Sequence, residues 1–266
     1  MTQFQQILFE DVEQANFVEA ENIGGPGADE VYGRTLFSLL STGTELNIYR
    51  GFYQAQGLSW GRLPFVPGYA VVFVVEKVGA QVDDVVVGDH VYWMGKHTSH
   101  QRVSREKVLP LPEGLIPELG TFARIANIGM SCLTTAEARP PAKVATMGLG
   151  MVGLAAAMVF KVAGYRVIAV DPLGEHHELT QQIGIENVMS EIDVDVIGRV
   201  PMILDFSGHK GAINSALDIV MSGGEIVVAG VPMVPKTDIL AQEVLNKLFR
   251  SFARLRSGKE QQTACA

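Results

Sequence analysis

The second half of the chain alternates short apolar runs with segments whose apolar residues recur at helical spacing. After two consecutive prolines, this rhythm predicts helices that alternate with strands. The predicted elements are strand 143–147, helix 151–163, strand 166–170, helix 175–183, strand 201–206, helix 210–221 and strand 224–230, with the pair Gly223-Gly224 ending the last of these helices. Strands separated by helices pair in parallel through right-handed crossovers, so this half predicts a doubly wound parallel sheet.

The first half, up to about residue 125, has short apolar runs that are broken by turn residues. The runs 69–78 and 90–94 predict strands, and Gly88-Asp89 predicts a turn between them. The expected fold class is therefore α/β, with a β-rich domain at 1–125 followed by a parallel-sheet domain at 126–266. A last amphipathic helix is predicted at 238–255, and we interpret it as a packing helix.

The composition narrows the partners and the location. The 266 residues are 47% hydrophobic, and the formal net charge of −8 argues against a nucleic-acid surface, which needs clustered Lys and Arg. The two cysteines, Cys132 and Cys265, exclude a disulfide framework and fit a reducing compartment. The sequence shows no signal-peptide pattern, and no run approaches the roughly 18 apolar residues of a membrane span. We therefore expect a cytoplasmic protein with no nucleic-acid or membrane partner.

A glycine-rich turn joins the first strand of the second half to its helix. It has GxGxxG spacing, and its residues are Gly148, Leu149, Gly150, Met151, Val152 and Gly153. Gly148 would permit the tight turn, Gly150 would let the backbone approach a pyrophosphate, and Gly153 would let the helix pack closely on the sheet. A GxGxxG string alone is weak support, but one placed between a strand and a helix predicts a dinucleotide site.

An acidic residue, Asp171, follows the strand 166–170 and completes this predicted site. A carboxylate at that position can accept hydrogen bonds from the adenosine ribose hydroxyls, and its charge repels the 2′-phosphate of NADP. The expected cofactor is therefore NAD, with NADP less favoured.

Three strings in the first half carry a second signal: STGTELNIYRG (41–51), PFVPGYAVVFVVEKVG (64–79) and VGDHV (87–91). Together with a β-rich domain that precedes a GxGxxG domain, they resemble the medium-chain dehydrogenase/reductase superfamily of the zinc alcohol dehydrogenase type. They are similar to its C-G-T-D-type, P-G-H-E and G-D-x-V segments, and the STGTE and PGY strings are similar to the bacteriochlorophyllide dehydrogenase branch. The resemblance implies a GroES-like domain followed by a Rossmann domain.

The sequence departs from the family pattern at the positions of the implied zinc ligands. Where the resemblance implies a zinc-binding Cys, this chain has Thr42, and where it implies His followed by Glu, the chain has Tyr69 and Ala70. Neutral hydroxyls are poor Zn²⁺ ligands compared with thiolate and imidazole. We therefore expect no zinc.

Other candidate ligands do not restore a metal site. Cys132 is interpreted as a small buried hydrophobe, and the segment 89–108 has no cysteine where the family inserts its structural zinc lobe. His97 and His100 are three residues apart, but their segment KHTSHQRV predicts a loop that runs into a strand and supplies no carboxylate or thiol. A metal at His90, His97 and His100 is therefore disfavoured.

Without zinc, hydroxyl groups are expected to stabilise the developing charge on a substrate oxygen. The resemblance implies a proton-relay role for Thr44, and Tyr69 is the candidate acid, with a pocket-lining aromatic as the alternative. Thr42 and Asn47 occupy the positions of a metal ligand and a relay histidine, and Glu45 is expected to hold its loop by hydrogen bonds. The resemblance also implies a substrate pocket walled by Tyr49, Trp93 and Met94, with Phe52, Tyr53 and Trp60 as further apolar candidates.

These features favour a zinc-independent, NAD(H)-dependent oxidoreductase that interconverts a secondary alcohol and a ketone on a sizeable small-molecule substrate. One alternative is an enone or quinone C=C reductase that uses NAD(P)H, and another is a non-catalytic nucleotide-binding sensor or scaffold. Because the chain ends soon after its Rossmann half, where the family returns to the first domain, we expect a homodimer that pairs near strand 224–230.

Overall fold

The computed structural model describes residues 4–209 and 211–230, and the helix expected at 238–255 lies outside them. The chain divides into two compact units, with the boundary between Arg124 and Ile125. Among the described residues, no helix is long and apolar enough to cross a membrane. Whether the protein is cytoplasmic stays a prediction.

The first unit is built on antiparallel strands. A hairpin of β1 (Gln5–Asp11) and β2 (Gln14–Glu19) stands beside a five-stranded sheet. The strands of that sheet are β3 (Glu30–Ser38), β4 (Val71–Val78), β5 (His90–Trp93), β6 (His100–Ser104) and β7 (Leu109–Pro110), in the order β6-β3-β4-β5-β7. Helices α1 (Thr44–Tyr49) and α2 (Phe52–Ala55) lie between β3 and β4, and a 3-10 turn at Arg105–Lys107 lies between β6 and β7. Helix α3 (Pro117–Gly120) follows β7.

The core of this sheet explains why its strands form where they do. The β-branched residues Val31, Val75 and Val91 pack with Phe73 and Val103, all of them buried. The predicted strand 69–78 begins two residues late, because Tyr69 and Ala70 precede the first ladder pair. The short helices α1 and α2 were not predicted, since the sequence there carries no long apolar period.

The second unit contains a parallel sheet. Helix α4 (Ala123–Thr135) begins in the first unit and continues into the second. The other elements of the second unit are β8 (Lys143–Met147), α5 (Met151–Val162), β9 (Arg166–Val170), α6 (Gly174–Gln182), β10 (Val188–Met189), α7 (Val194–Ile197), β11 (Val200–Asp205), α8 (Ala212–Ile219) and β12 (Val220–Val228). The strand order β10-β9-β8-β11-β12, parallel throughout, is that of a doubly wound sheet. The α/β fold class is confirmed.

Alternate residues of these strands face two separate apolar cores. Val144 and Met202 pack with Phe160 of α5 on one face. Ala145 and Ile203 pack with helix α8 on the other. Because both faces are covered, the strands are continuous apolar runs, which is why the sequence pattern located them.

One local prediction in this unit was wrong. Gly223-Gly224 does not end a helix, since α8 stops at Ile219 and both glycines lie inside β12. Gly223 has a φ of 76°, and a Cβ on Gly224 would lie 2.8 Å from the carbonyl oxygen of Pro201. The pair therefore belongs to an irregular stretch of β12. Glycines are favoured both at helix ends and at strand irregularities, so the two are not distinguished by the glycines alone. β12 forms one edge of the described sheet, and pairing of two copies there stays a prediction.

Candidate functional site

The three glycines of the turn after β8 differ in what a side chain at each would meet. Gly148 has a φ of 83°, and a Cβ there would lie 2.7 Å from the Ser207 backbone. A Cβ on Gly153 would overlap the carbonyl oxygen of Gly148, whereas a Cβ on Gly150 would meet nothing within 4 Å. Two glycines thus serve the fold, and Gly150 leaves open space above the turn.

Helix α5 begins immediately after this turn. Gly150 is its N-cap residue, with Met151 and Val152 half-buried in the first turn, while the Leu149 side chain is buried in the core. The N-terminus of a twelve-residue helix favours negative charge through its free N–H groups and its dipole. The open space over Gly150 therefore lies where an anionic group is favoured.

Asp171 follows β9 at the same carboxyl edge of the sheet. It is buried, and its Oδ2 accepts a hydrogen bond of 2.6 Å from the Leu149 N–H, while its Oδ1 accepts one of 2.9 Å from the Leu173 N–H. His176 Nδ1 lies 3.0 Å from Oδ2, and His177 Nε2 lies 2.5 Å from the Asp171 carbonyl oxygen. Burial raises the pKa of Asp171, but the two N–H donors and His176 outweigh it, so the pKa lies below its usual range. Asp171 is thus a carboxylate at neutral pH.

A second acid, Asp205, ends β11 beside the turn. Its Oδ1 accepts hydrogen bonds from the Ser207 N–H at 2.9 Å and the Ser207 hydroxyl at 2.6 Å. Burial raises the pKa of Asp205 above its usual range, and these bonds only partly offset the effect. Gly148 packs against the Ser207 backbone, so the hydrogen bonds between Asp205 and Ser207 help to fix the position of the glycine turn.

In the first unit, Tyr69 stands just before β4 and is half-buried. Burial raises the pKa of its phenol, and the Glu45 carboxylate adds to the rise. A hydrogen bond with the Ser41 side chain and the positive charge of Arg124 oppose it. Tyr69 is therefore a protonated phenol at neutral pH and can donate a hydrogen bond.

The other predicted catalytic residues, Thr42, Thr44 and Asn47, do not all lie together. Thr42 is exposed. Thr44 and Asn47, on α1, lie near the buried hydroxyl of Tyr53; burial raises the pKa of that phenol, and these two polar side chains oppose the rise. Thr44 and Asn47 are thus brought together with a residue that was expected only as a pocket wall.

Glu45 holds its loop, as its position in the sequence suggested. Its Oε2 accepts a 2.6 Å hydrogen bond from the Ser41 N–H, and its Oε1 accepts one of 2.5 Å from the Gly68 N–H. Oε1 also lies 3.3 Å from Nε2 of the buried His97. The carboxylate thereby ties α1 to the segment that carries Tyr69 and to the loop after β5.

The three predicted pocket residues lie in different clusters. Tyr49 packs edge-on against Phe9 and donates a 2.6 Å hydrogen bond to the Glu13 carbonyl oxygen. Met94 packs on the cluster around Ala70. Trp93 donates a 2.9 Å hydrogen bond to Gln101 and lines a cavity of about 530 Å³, which Tyr69 does not line. The three side chains thus pack in three separate clusters of the first unit.

The described residues do not supply a metal donor set. No group of three His, Cys, Asp or Glu side chains able to hold a metal occurs within 4–209 and 211–230. His97 pairs with Glu45, and His100 Nδ1 lies 3.0 Å from the Ser99 hydroxyl. Cys132 is buried in the second unit, and burial raises the pKa of its thiol to about 11. Within the described residues, these donors are therefore not gathered at one place.

Two residues at these places were not expected from the sequence. His176 lies against Asp171, and the adjacent histidines 176–177 just after a strand-ending acid were a usable signal. Arg124 acts on Tyr69 across a large sequence separation, so it carried no local signal.

Similarity to known proteins supports the predicted superfamily. A model of the zinc-binding dehydrogenase family matches residues 151–262. The alcohol dehydrogenase of Geobacillus stearothermophilus is 26% identical over 248 residues, which cover 76% of this chain and 71% of that protein. These matches support a place in the medium-chain dehydrogenase/reductase superfamily.

Two further matches extend this result. The quinone oxidoreductase of Pongo abelii is 26% identical over 209 residues, which cover 70% of this chain and 60% of that protein. A solved alcohol dehydrogenase of Escherichia coli CFT073, in complex with NADH, superposes with a TM-score of 0.80 at 19% identity, over 93% of this chain and 82% of that one. This likeness shows the fold of the superfamily, a GroES-like domain and a Rossmann domain. The comparisons thus support the predicted superfamily.

Proposed function

We propose that this medium-chain dehydrogenase/reductase is a zinc-independent, NAD(H)-dependent oxidoreductase that interconverts a secondary alcohol and a ketone on a sizeable substrate. A nicotinamide dinucleotide, when bound, supplies hydride transfer. The observation that carries the proposal is the glycine turn of the second unit, where Gly150 leaves open space at the N-terminus of α5 and Asp171 stands as a carboxylate beside it.

The residues of the second unit fit such a dinucleotide. The space over Gly150, at a helix N-terminus, suits a pyrophosphate. The Asp171 carboxylate suits the ribose hydroxyls and opposes a 2′-phosphate, which favours NAD over NADP. His176, at 3.0 Å from Asp171, lies next to the same position.

The first unit supplies the groups for the substrate oxygen. Tyr69 is protonated at neutral pH, and the nearby positive charge of Arg124 makes the phenol a better donor than burial alone would allow. A preorganised donor stabilises the negative charge that develops on a carbonyl oxygen during its reduction. Thr42 and Tyr69 offer only neutral hydroxyls where the resemblance implies metal ligands, which supports a reaction without zinc.

The first test is a fluorescence titration of the purified chain with NADH and with NADPH, each with added zinc and with a chelator. We expect saturable NADH binding that neither zinc nor chelator changes, and weaker NADPH binding. A requirement for zinc would contradict the metal-free proposal. Failure of both cofactors to bind would favour a non-catalytic protein.

A substrate screen then follows with sizeable ketones and secondary alcohols. Consumption of NADH with a ketone should yield the hydroxy compound, which mass spectrometry identifies. Reduction of an enone to the saturated ketone, without the hydroxy product, would show a C=C reductase instead.

A further inference from the structure

Arg124 carries a buried donor that has no partner among the described residues. It is the second residue of α4, and its Nε–H is buried without a hydrogen bond. Its neighbour Ala123 packs on the cluster formed by Ala70, Val72 and Tyr92. Because Ala70 directly follows Tyr69, this packing holds the guanidinium near the phenol, whose protonation it influences.

The charge of Arg124 is also uncompensated in the described part of the chain. None of the ion pairs formed there involves Arg124. Glu45, the other charged group that acts on Tyr69, is already engaged by two backbone N–H groups and by His97. A buried donor left unpaired is costly, so a ligand acceptor at this place would be bound favourably.

We propose that Arg124 anchors an anionic group, a carboxylate or a phosphate, on the substrate. The inference rests on the proposed function, because it takes the Tyr69 cluster as the place where the substrate binds. The planar guanidinium offers paired donors that match both anions. Tyr69 then serves as the donor to the reacting oxygen. The substrate class is therefore a hydroxy or oxo acid, or a phosphorylated alcohol or ketone.

The probe is the side-chain Nε–Hε resonance of Arg124 in a ¹⁵N-labelled chain without cofactor, assigned by its loss in Arg124→Gln. The chain is titrated with butanoate, with its neutral isostere butanamide and with inorganic phosphate. We expect a saturable shift with at least one anion and none with butanamide. A shift with butanoate alone indicates a carboxylic acid substrate, and one with phosphate alone indicates a phosphorylated substrate.

Variants establish the origin of the binding. Arg124→Gln should weaken the affinity for the anion about tenfold. Arg124→Lys should weaken this affinity less, because the charge remains while the paired donors are lost. Arg50→Gln, an exposed arginine of the same unit, is the control and should bind as the parent does.

Two results would overturn the inference: equal shifts with butanoate and butanamide, or anion binding that Arg124→Gln leaves unchanged. If that variant fails to fold, the titration of the parent chain still tests the inference, because the absence of a shift with both anions would contradict it. An NADH titration of the same sample separates the two proposals. Anion binding without NADH binding would contradict the proposed dehydrogenase function and support the Arg124 anion site. NADH binding without anion binding would contradict the Arg124 site alone.

Discussion

Oδ2 of Asp171 lies 3.0 Å from Nδ1 of His176 and accepts a 2.6 Å hydrogen bond from the Leu149 N–H. One carboxylate therefore links the glycine turn, through Leu149, to the first residues of α6. The same carboxylate is the group expected to meet the adenosine ribose. A change at Asp171 should consequently affect both the turn and the choice of cofactor.

Asp171→Asn tests the cofactor role with little change in shape. We expect NADH to bind about tenfold more weakly and the preference over NADPH to shrink, because the amide repels a 2′-phosphate less than a carboxylate does. Parallel fluorescence titrations measure both constants. Asp195→Asn, an exposed acid on α7, is the control. An unchanged ratio of the two affinities would mean that Asp171 is not at the ribose position.

Acid stability provides a second test of Asp171. Its pKa is lowered in the folded chain, since the N–H donors of Leu149 and Leu173 with His176 outweigh burial. Its ionised form therefore stabilises the fold above the unfolded pKa, about 4, and this contribution is lost as the pH falls through the lower folded value. We expect the melting temperature of Asp171→Asn to fall less steeply than that of the parent below about pH 4. Melting temperatures that fall equally steeply in the two proteins below this pH would contradict this expectation.

Two glycine substitutions separate the fold of the turn from its ligand. Gly150→Ala meets no atom within 4 Å, and the residue has a φ of −60°, so the variant should fold with a loss below about 1 kcal/mol. It should nevertheless bind NADH at least about tenfold more weakly, because the methyl group occupies the space over the turn. Calorimetry and the NADH titration measure the two effects.

Gly153→Ala is the matched opposite. Its Cβ would overlap the carbonyl oxygen of Gly148, so overpacking should cost about 1–3 kcal/mol of stability. If Gly150→Ala bound NADH as the parent does, the pyrophosphate would not lie above Gly150.

The sequence located the second unit well because its strands are buried on both faces. The strands at Lys143–Met147 and Arg166–Val170 have the predicted bounds, since each is an apolar run that ends at a glycine turn or an acid. The short pieces β10 and α7 escaped prediction, because two- and four-residue elements carry no measurable period. Gly223-Gly224 was misassigned, since glycines favour strand irregularities as well as helix ends.

The candidate site could be predicted only where its residues are close in the sequence. The glycine turn and Asp171 belong to one strand-helix-strand unit, whose spacing is fixed by local geometry. The approach of Arg124 to Tyr69 depends instead on how Ala123 packs near β4. The substrate-pocket residues Tyr49, Trp93 and Met94 were chosen by resemblance, and the local packing of the first unit sends them to separate clusters.

Tyr69→Phe tests the proposed acid. The substitution removes one hydroxyl and keeps the ring, so the fold and NADH binding should be unaffected. Turnover of the ketone found in the screen should fall about 10²–10³-fold, which is the typical cost of removing one donor to a developing oxyanion. Tyr32→Phe is the control, since Tyr32 is a buried tyrosine of the same unit whose ring faces Lys77. A Tyr69→Phe enzyme that turns over at the parent's rate would leave Tyr69 as a wall of the site and assign proton donation to another group.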